Sequence, residues 1–383
     1  MANLTRAYSI ADLRDIARRT LPRAMFDFFD GGAEDELTLA ANRAAFTDLR
    51  LLPRVLVDVE QVDTGTTILG QAAHMPLVVA PMGAVGFGRR GGDLAIARAA
   101  RAAGVPYVLS TMATASIERI AREAGGRLWF QAYVFKERAQ TTRLIARAEA
   151  AGYEALMITV DIPVGGKRER DMRNDFAIPF RFTPKNLLDF ASRPAWALDM
   201  LVHGVPVVEN LLEFAPDTKD MAQLASSVGR SFSASFDWAG LAEIRAAWPR
   251  KLVLKGLMRA DDAERAAALA CDALVVSNHG GRQLDGGSAS VAALPAVVAA
   301  VGGRCPVLVD GGVRRGVDIL KARALGAEAV LIGRPALYGV CAAGEAGARH
   351  ALEILRDELV RGMRLCGVTA VGAISRDLLA HAA

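Results

Sequence analysis

Cysteine is scarce in this chain of 383 residues. There are four, Cys271, Cys305, Cys341 and Cys366, with no CxxC pair and no histidine spaced to join them. That pattern excludes a disulfide framework and a metal site, and reads as buried or incidental thiols in a reducing cytoplasm. Lysine is scarce as well, seven of the 46 basic residues, so the net charge of +4 is carried almost wholly by arginine. No run of five or more basic residues occurs, which argues against a nucleic-acid stripe and a nucleic-acid partner. The opening MANLTRAYSIADLRDIARRT lacks the apolar core of a signal peptide. No uninterrupted apolar run reaches the length of a membrane span. No GxGxxG opens a βαβ unit with an acidic residue downstream, so a Rossmann dinucleotide site is unsupported. Low-complexity segments are absent. A cytoplasmic protein with a large core is expected.

What is abundant is apolar residues, 52% of the chain. They gather in short β-branched runs, each followed by a loop and an Ala/Arg/Glu-rich stretch with helical spacing. The runs lie at 77–81, 107–110, 128–134, 155–161, 252–256, 273–277, 306–310 and 329–333. Eight such units predict an α/β fold, a closed (β/α)8 TIM barrel, better than an open doubly wound sheet. One domain over 1–383 is expected. Its first 75 residues form an N-terminal helical extension, with two short helices across Ser9–Phe29 joined near Pro22. The long stretch between the fourth and fifth runs places an insertion over 175–238, as a lid, a subunit-packing segment or a membrane-contact segment. Gly347–Cys366 reads as a terminal amphipathic helix.

Barrel enzymes carry their sites at the carboxyl ends of the strands. There stands Ser277–Gly286, SNHGGRQLDG. His279 and Arg282, on one glycine-rich loop, combine a proton acceptor active near neutral pH with a cation that grips a carboxylate bidentately. The pair suits oxidation of a hydroxy acid. Taken alone, His279 is as readily an incidental residue of a surface turn; its company decides otherwise. Gln131 and Tyr133 share one side of the third strand, as do Thr159 and Asp161 of the fourth. An apolar interior would not tolerate such pairs without a ligand or partners. Lys255 closes the fifth strand in VLKG, where its charge could stabilise a cofactor, a Schiff base being the competing role. Arg168 in GGKRERD overhangs the fourth strand, or else joins a solvated cluster with Glu169, Arg170 and Asp171. Late in the chain, Asp310-Gly311-Gly312-Val313-Arg314 and Gly333-Arg334-Pro335 suit a phosphate. The expected cargo is a mononucleotide held by one phosphate.

These motifs, from LPRAMFDFFDGGAEDE through SNHGGRQLDGG to GRPALYG, resemble the FMN-dependent L-2-hydroxy-acid oxidase and dehydrogenase family, which includes glycolate oxidase, L-lactate dehydrogenase and (S)-mandelate dehydrogenase. The resemblance implies FMN as cofactor, a barrel assembled as a homotetramer, and oxidation of an L-2-hydroxy acid to the 2-oxo acid. It puts the catalytic base at His279, its paired carboxylate at Asp161, the substrate-carboxylate arginines at Arg282 and Arg168, and the tyrosine near the substrate hydroxyl at Tyr133. FMN contacts fall on Pro81, Met82, Gly83, Ser110, Gln131, Thr159, Lys255, Ser277, Asp310, Gly311, Arg314, Gly333 and Arg334. Three positions bear on the substrate and the branch. Phe28 stands where a second substrate tyrosine is expected. Met112 replaces a bulky tryptophan of short-chain oxidases, and Gly83 matches the mandelate and lactate dehydrogenases. The expected acid is therefore mandelate-like or lactate-like and the acceptor a quinone, with peripheral contact on the inner face of the cell membrane through 175–238. The alternatives are an oxygen-using oxidase that releases hydrogen peroxide, and a non-catalytic flavin-binding barrel.

Overall fold

The computed structural model describes residues 4–176, 183–214 and 231–380. Eight parallel strands form a closed barrel: β3 (Leu77–Val79), β4 (Tyr107–Ser110), β5 (Leu128–Ala132), β6 (Ala155–Thr159), β7 (Lys251–Leu257), β8 (Ala273–Val276), β9 (Val307–Val309) and β10 (Ala329–Ile332). Each falls on one of the apolar runs. Pairing of Val330 with Leu77 closes the ring. Both strand faces are buried, which is why the runs read as continuously apolar. Val78, Val108, Trp129, Met157, Val253, Val275, Leu308 and Leu331 form an inner core, while Leu77, Leu109, Phe130, Ile158, Leu254 and Val309 belong to a second core beneath the helices.

The barrel floor was not expected from sequence. A hairpin of β1 (Thr66–Ile68) and β2 (Gln71–Ala73) contributes Ile68, Leu69 and Ala73 to the inner core. Its turn residues Leu69 and Gly70 both take positive φ, 52° and 81°, as a tight hairpin turn requires.

Three helices precede the hairpin: α1 (Ile10–Thr20), α2 (Arg23–Asp30) and α3 (Leu37–Asp48). The Ser9 hydroxyl accepts from the Asp12 amide and caps α1. Asp30, at the end of α2, receives two hydrogen bonds from Arg14, 2.6 and 2.7 Å, and one from the Tyr338 hydroxyl at 2.6 Å. Asp285 caps α3 through the amides of Leu37 and Thr38. Of the glycines in Gly86–Gly91, which happen to spell GxGxxG, two serve packing, since a Cβ on Gly86 would strike Thr114 and one on Gly88 Phe29, and Gly91 serves a turn at φ +68°.

Within 175–238 the described residues form helices Pro184–Ala191 and Pro194–His203 and the 3-10 turn Glu209–Phe214. Asp189 accepts from the amides of Arg23 and Ala24, 2.8 and 2.9 Å, and so caps α2, which begins on Pro22 without a side-chain cap of its own. Glu209 and Asn210 do the same for helix Ile117–Glu123 through the amides of Ser116 and Ile117. The terminal helical segment, Arg334–Leu365, breaks at Ala343 and Gly344, leaving the expected amphipathic helix as its second half.

Candidate active site

Side chains alternate along a strand, so two residues beyond each inner-core position the chain again points inward. Those positions are Ala80, Ser110, Gln131, Thr159, Lys255, Ser277, Asp310 and Gly333, a mostly polar ring at the carboxyl ends. Over it opens a cavity of about 750 Å³. Its lining brings together Pro81, Met82, Gly83, Met112, Tyr133, Thr159, Lys255, Asp310, Gly311, Arg314, Gly333 and Arg334 with Phe28, Arg168, His279 and Arg282. Ser110, Gln131 and Ser277 lie buried beneath.

At one side of the cavity, His279 Nδ1 stands 3.0 Å from Asp161 Oδ1. His279 itself has φ +58°, and Gly280 and Gly281 follow with +64° and +76°. This left-handed run costs a histidine more than a glycine. It is held by the Ser277 hydroxyl, which accepts from the His279 amide at 3.0 Å, and by close packing, since a Cβ on Gly281 would stand 2.6 Å from the Leu39 amide nitrogen. Asp161 reaches the imidazole because β7 bulges between Lys255 and Leu257. There Gly256 takes φ +111°, and a Cβ on it would come within 2.8 Å of Asp161. Burial works to raise the Asp161 carboxyl, but its interactions with His279 and with the Lys255 charge outweigh it and hold it below the usual range.

Lys255 is 3% exposed, donates to the Ser277 hydroxyl at 2.7 Å and pairs with Asp310 at 3.0 Å. Burial would lower its pKa; Asp310 and Asp161 more than offset that and raise it. A charged ammonium is no nucleophile, which disfavours the Schiff-base role. Around it, Gln131 Nε2, Thr159 Oγ1, Asp161 Oδ2 and Asp310 Oδ1 are buried without a protein hydrogen-bond partner. Gln131 Oε1 accepts from Ser110 and the Thr111 amide, so its orphan Nε2 is a donor aimed at a further acceptor. Such a cluster of unpaired groups is costly unless a ligand satisfies it.

Opposite the strands, Arg282 Nη1 donates to the carbonyls of Phe28 and Gly31, 2.8 and 2.9 Å away. Among the described residues no carboxylate pairs with it, and burial together with Arg168 and Arg334 pushes its guanidinium down to about 9. Arg168 Nε pairs with Asp171 at 2.9 Å. The Phe28 ring lies between the two, 5.3 Å from the Arg168 guanidinium and 5.4 Å from that of Arg282. Burial, and then the Asp161 charge, push the Tyr133 phenol well up, so it stays protonated.

At the far end, Gly311 and Gly312 take φ +86° and +95° beside Arg314, whose guanidinium burial pushes down to about 10. Arg334, also on the cavity, has its guanidinium held by backbone carbonyls. It donates to the carbonyls of Phe29, Gly31 and Gly280, tying the end of α2 to the His279 loop. Arg334 also opens a helix, whose first N–H groups suit an anion.

Sequence reasoning missed several supports. Asn42 and Asn278 exchange reciprocal amide hydrogen bonds at 2.8 Å, anchoring the His279 loop to α3. Asp171 was read only as part of a charge cluster, and Gly256 only as the residue after Lys255. The asparagines carry no local signal, because their partnership spans 236 residues.

Comparison with known proteins agrees with this geometry. The family model described as FMN-dependent dehydrogenase matches residues 17–381. The (S)-mandelate dehydrogenase of Pseudomonas putida is 42% identical over 373 residues, covering 97% of this chain and 93% of its own. The L-lactate oxidase of Nostoc sp. is 41% identical over 384 residues, covering 99% and 100%. The crystal structure of the monotopic membrane protein (S)-mandelate dehydrogenase superposes with a TM-score of 0.93 at 41% identity, covering 98% of this chain and 99% of that one. The chain belongs to the FMN-dependent dehydrogenase family and is an enzyme whose cofactor is FMN.

Proposed function

We propose that the enzyme oxidises an L-2-hydroxy acid with a mandelate-like or lactate-like side chain to the 2-oxo acid and passes the electrons to a quinone or a similar acceptor. The observation that carries this reading is the meeting of the His279–Asp161 pair with Arg168 and Arg282 on one cavity. Bound there, FMN supplies the two-electron acceptor. The orphaned donor of Gln131, the Thr159 hydroxyl and the Lys255 ammonium fit the polar edge of its ring, and Gly311, Arg314 and Gly333 fit its phosphate.

Arg282 and Arg168 hold the substrate carboxylate and so orient the hydroxyl-bearing carbon. The ionised Asp161 keeps the Nδ1 proton of His279, which leaves Nε2 as the acceptor for the substrate's proton. Asp161 then stabilises the imidazolium. Tyr133, protonated, donates toward the substrate oxygen. Phe28, Met112, Phe176 and Val208 give the cavity an apolar end with room for a bulky side chain.

His279→Gln tests the reading. The variant is expected to retain FMN yet fail to lose its visible absorbance when an L-2-hydroxy acid is added without oxygen. Normal bleaching overturns the assignment.

Peripheral membrane contact is part of the proposal. Leu188, Leu198, Leu201 and Val202 are 60–82% exposed on the two insertion helices, an apolar patch suited to a bilayer surface. Among the described residues no helix is long and apolar enough to cross a membrane. Leu201→Glu should release the protein from membranes without detergent. Assembly as a homotetramer is likewise proposed, with the exposed Leu52, Val55 and Leu56 as a face for a second subunit; sedimentation at equilibrium decides it. The oxidase reading is separated by peroxide yield in air.

A further inference from the structure

We propose that a second, smaller cavity is the docking site for an uncharged quinone acceptor, an inference that rests on the oxidation proposed above. The cavity, of about 270 Å³, lies beside the first and shares Tyr133, Thr159, Ile162 and Phe232 with it. Its remaining wall mixes aromatic and aliphatic side chains, Phe236, Trp238 and Leu257 among them, with polar surface that includes Ser233, and its lining charges are Asp237 and Asp262.

The two cavities differ in charge. Lys167, Arg168, Lys255, Arg282, Arg314 and Arg334 line the first, outnumbering Asp171 and Asp310 there, whereas among the described residues no lysine or arginine lines the second. Asp237 is fixed in place by accepting from the Gly240 amide at 3.0 Å, as the cap of helix Trp238–Ala247. Arg138 and Arg265 stack on the Phe236 and Trp238 rings, 4.9 and 4.8 Å from their centroids, holding both rings while staying out of the lining. An anionic hydroxy acid is therefore drawn to the first cavity and repelled from the second. A flat, neutral ring is the chemistry that aromatic walls accept where the cations stacked on them stay outside the lining. Molecular oxygen needs no slot of this size. The reaction balances: the hydroxy acid loses two electrons and two protons from its C–H and O–H bonds, and the quinone's two carbonyl oxygens end as the hydroxyls of a quinol.

Trp238 gives the site a signal independent of turnover. Oxidised holoenzyme titrated with 2,3-dimethoxy-5-methyl-1,4-benzoquinone, without hydroxy acid, should show saturable tryptophan quenching that Trp238→Phe abolishes. In turnover, Phe236→Ala should raise the quinone KM by roughly five-fold, with the hydroxy-acid KM unchanged. Asp262→Lys, a partly exposed change that spares the core, should favour anionic dichlorophenolindophenol over cationic phenazine methosulfate. Anaerobic bleaching by the acid alone reports separately on the oxidation, so failure there and failure here are distinct. Quenching that survives in Trp238→Phe, an unchanged quinone KM in Phe236→Ala with an unchanged dye preference in Asp262→Lys, or a shift in hydroxy-acid KM in place of quinone KM would overturn the proposal. The last result would mark the cavity as a pocket for the acid's side chain.

Discussion

His279 Nδ1 and Asp161 Oδ1 lie 3.0 Å apart although 118 residues separate them in the chain. In the proposed mechanism the contact sets the imidazole's tautomer and leaves Nε2 as the proton acceptor. Asp161→Asn removes the charge and keeps the shape. It should slow anaerobic flavin reduction by roughly 10²- to 10³-fold, with little change in hydroxy-acid affinity. The Asp161 pKa is depressed from 3.8, so its charge is present above that value and is lost only as pH falls through the lower folded value. Loss of the Asp161 charge therefore plays no part in the pH dependence of the rate near neutrality. A variant that lost affinity while keeping its rate would contradict this division of roles.

Arg282 is a partly buried cation whose side-chain partners among the described residues are carbonyls and no carboxylate. Its depression to about 9 measures how little compensation it has. A bound carboxylate supplies that compensation and raises the pKa in the complex. Binding of a 2-hydroxy acid or a carboxylate inhibitor should be strong at neutral pH and weaken as pH rises through about 9. Arg282→Met should weaken it by roughly 10- to 100-fold at neutral pH. Affinity that stayed constant to higher pH would mean that Arg168 alone grips the anion.

Phe28 offers a ring to both guanidinium groups and no hydroxyl. Phe28→Tyr keeps the ring and adds a neutral donor. The account predicts a gain of about five-fold in carboxylate affinity, read from the substrate dependence of flavin bleaching. No gain would mean that the hydroxyl lies out of reach of the acid.

Gly83 and Met112 form one wall. A Cβ on Gly83 would stand 2.9 Å from the Met112 Cβ, so one must move. Gly83→Ala should cost roughly ten-fold in affinity for a bulky acid. Met112→Gly, which removes the opposing Cβ, should restore most of that loss when added to it, giving a clear coupling in a double-mutant cycle. Simple additivity would show that the wall yields freely.

All eight barrel strands were legible in the sequence, because a parallel sheet buried on both faces must be written in continuous apolar runs. The polar residues that interrupt those runs at strand ends marked the site: Gln131, Thr159 and Lys255 are exceptional because of where they sit. The hairpin floor was not legible, since Thr66–Ala73 alternates weakly and its Leu69-Gly70 turn lacks the usual Asn-Gly signal. Nor was the use of Arg334 on the carbonyls of Phe29, Gly31 and Gly280, or the Asn42–Asn278 clasp, because each depends on segments brought together only by the folded chain.

The most direct test is anaerobic reduction of the purified enzyme by paired L- and D-2-hydroxy acids, from lactate to mandelate, followed at the flavin's visible band. The account predicts rapid bleaching by L-acids, favouring bulky side chains, and none by their D-enantiomers. A flavin left oxidised by every acid, or reduced equally by both hands, would contradict it.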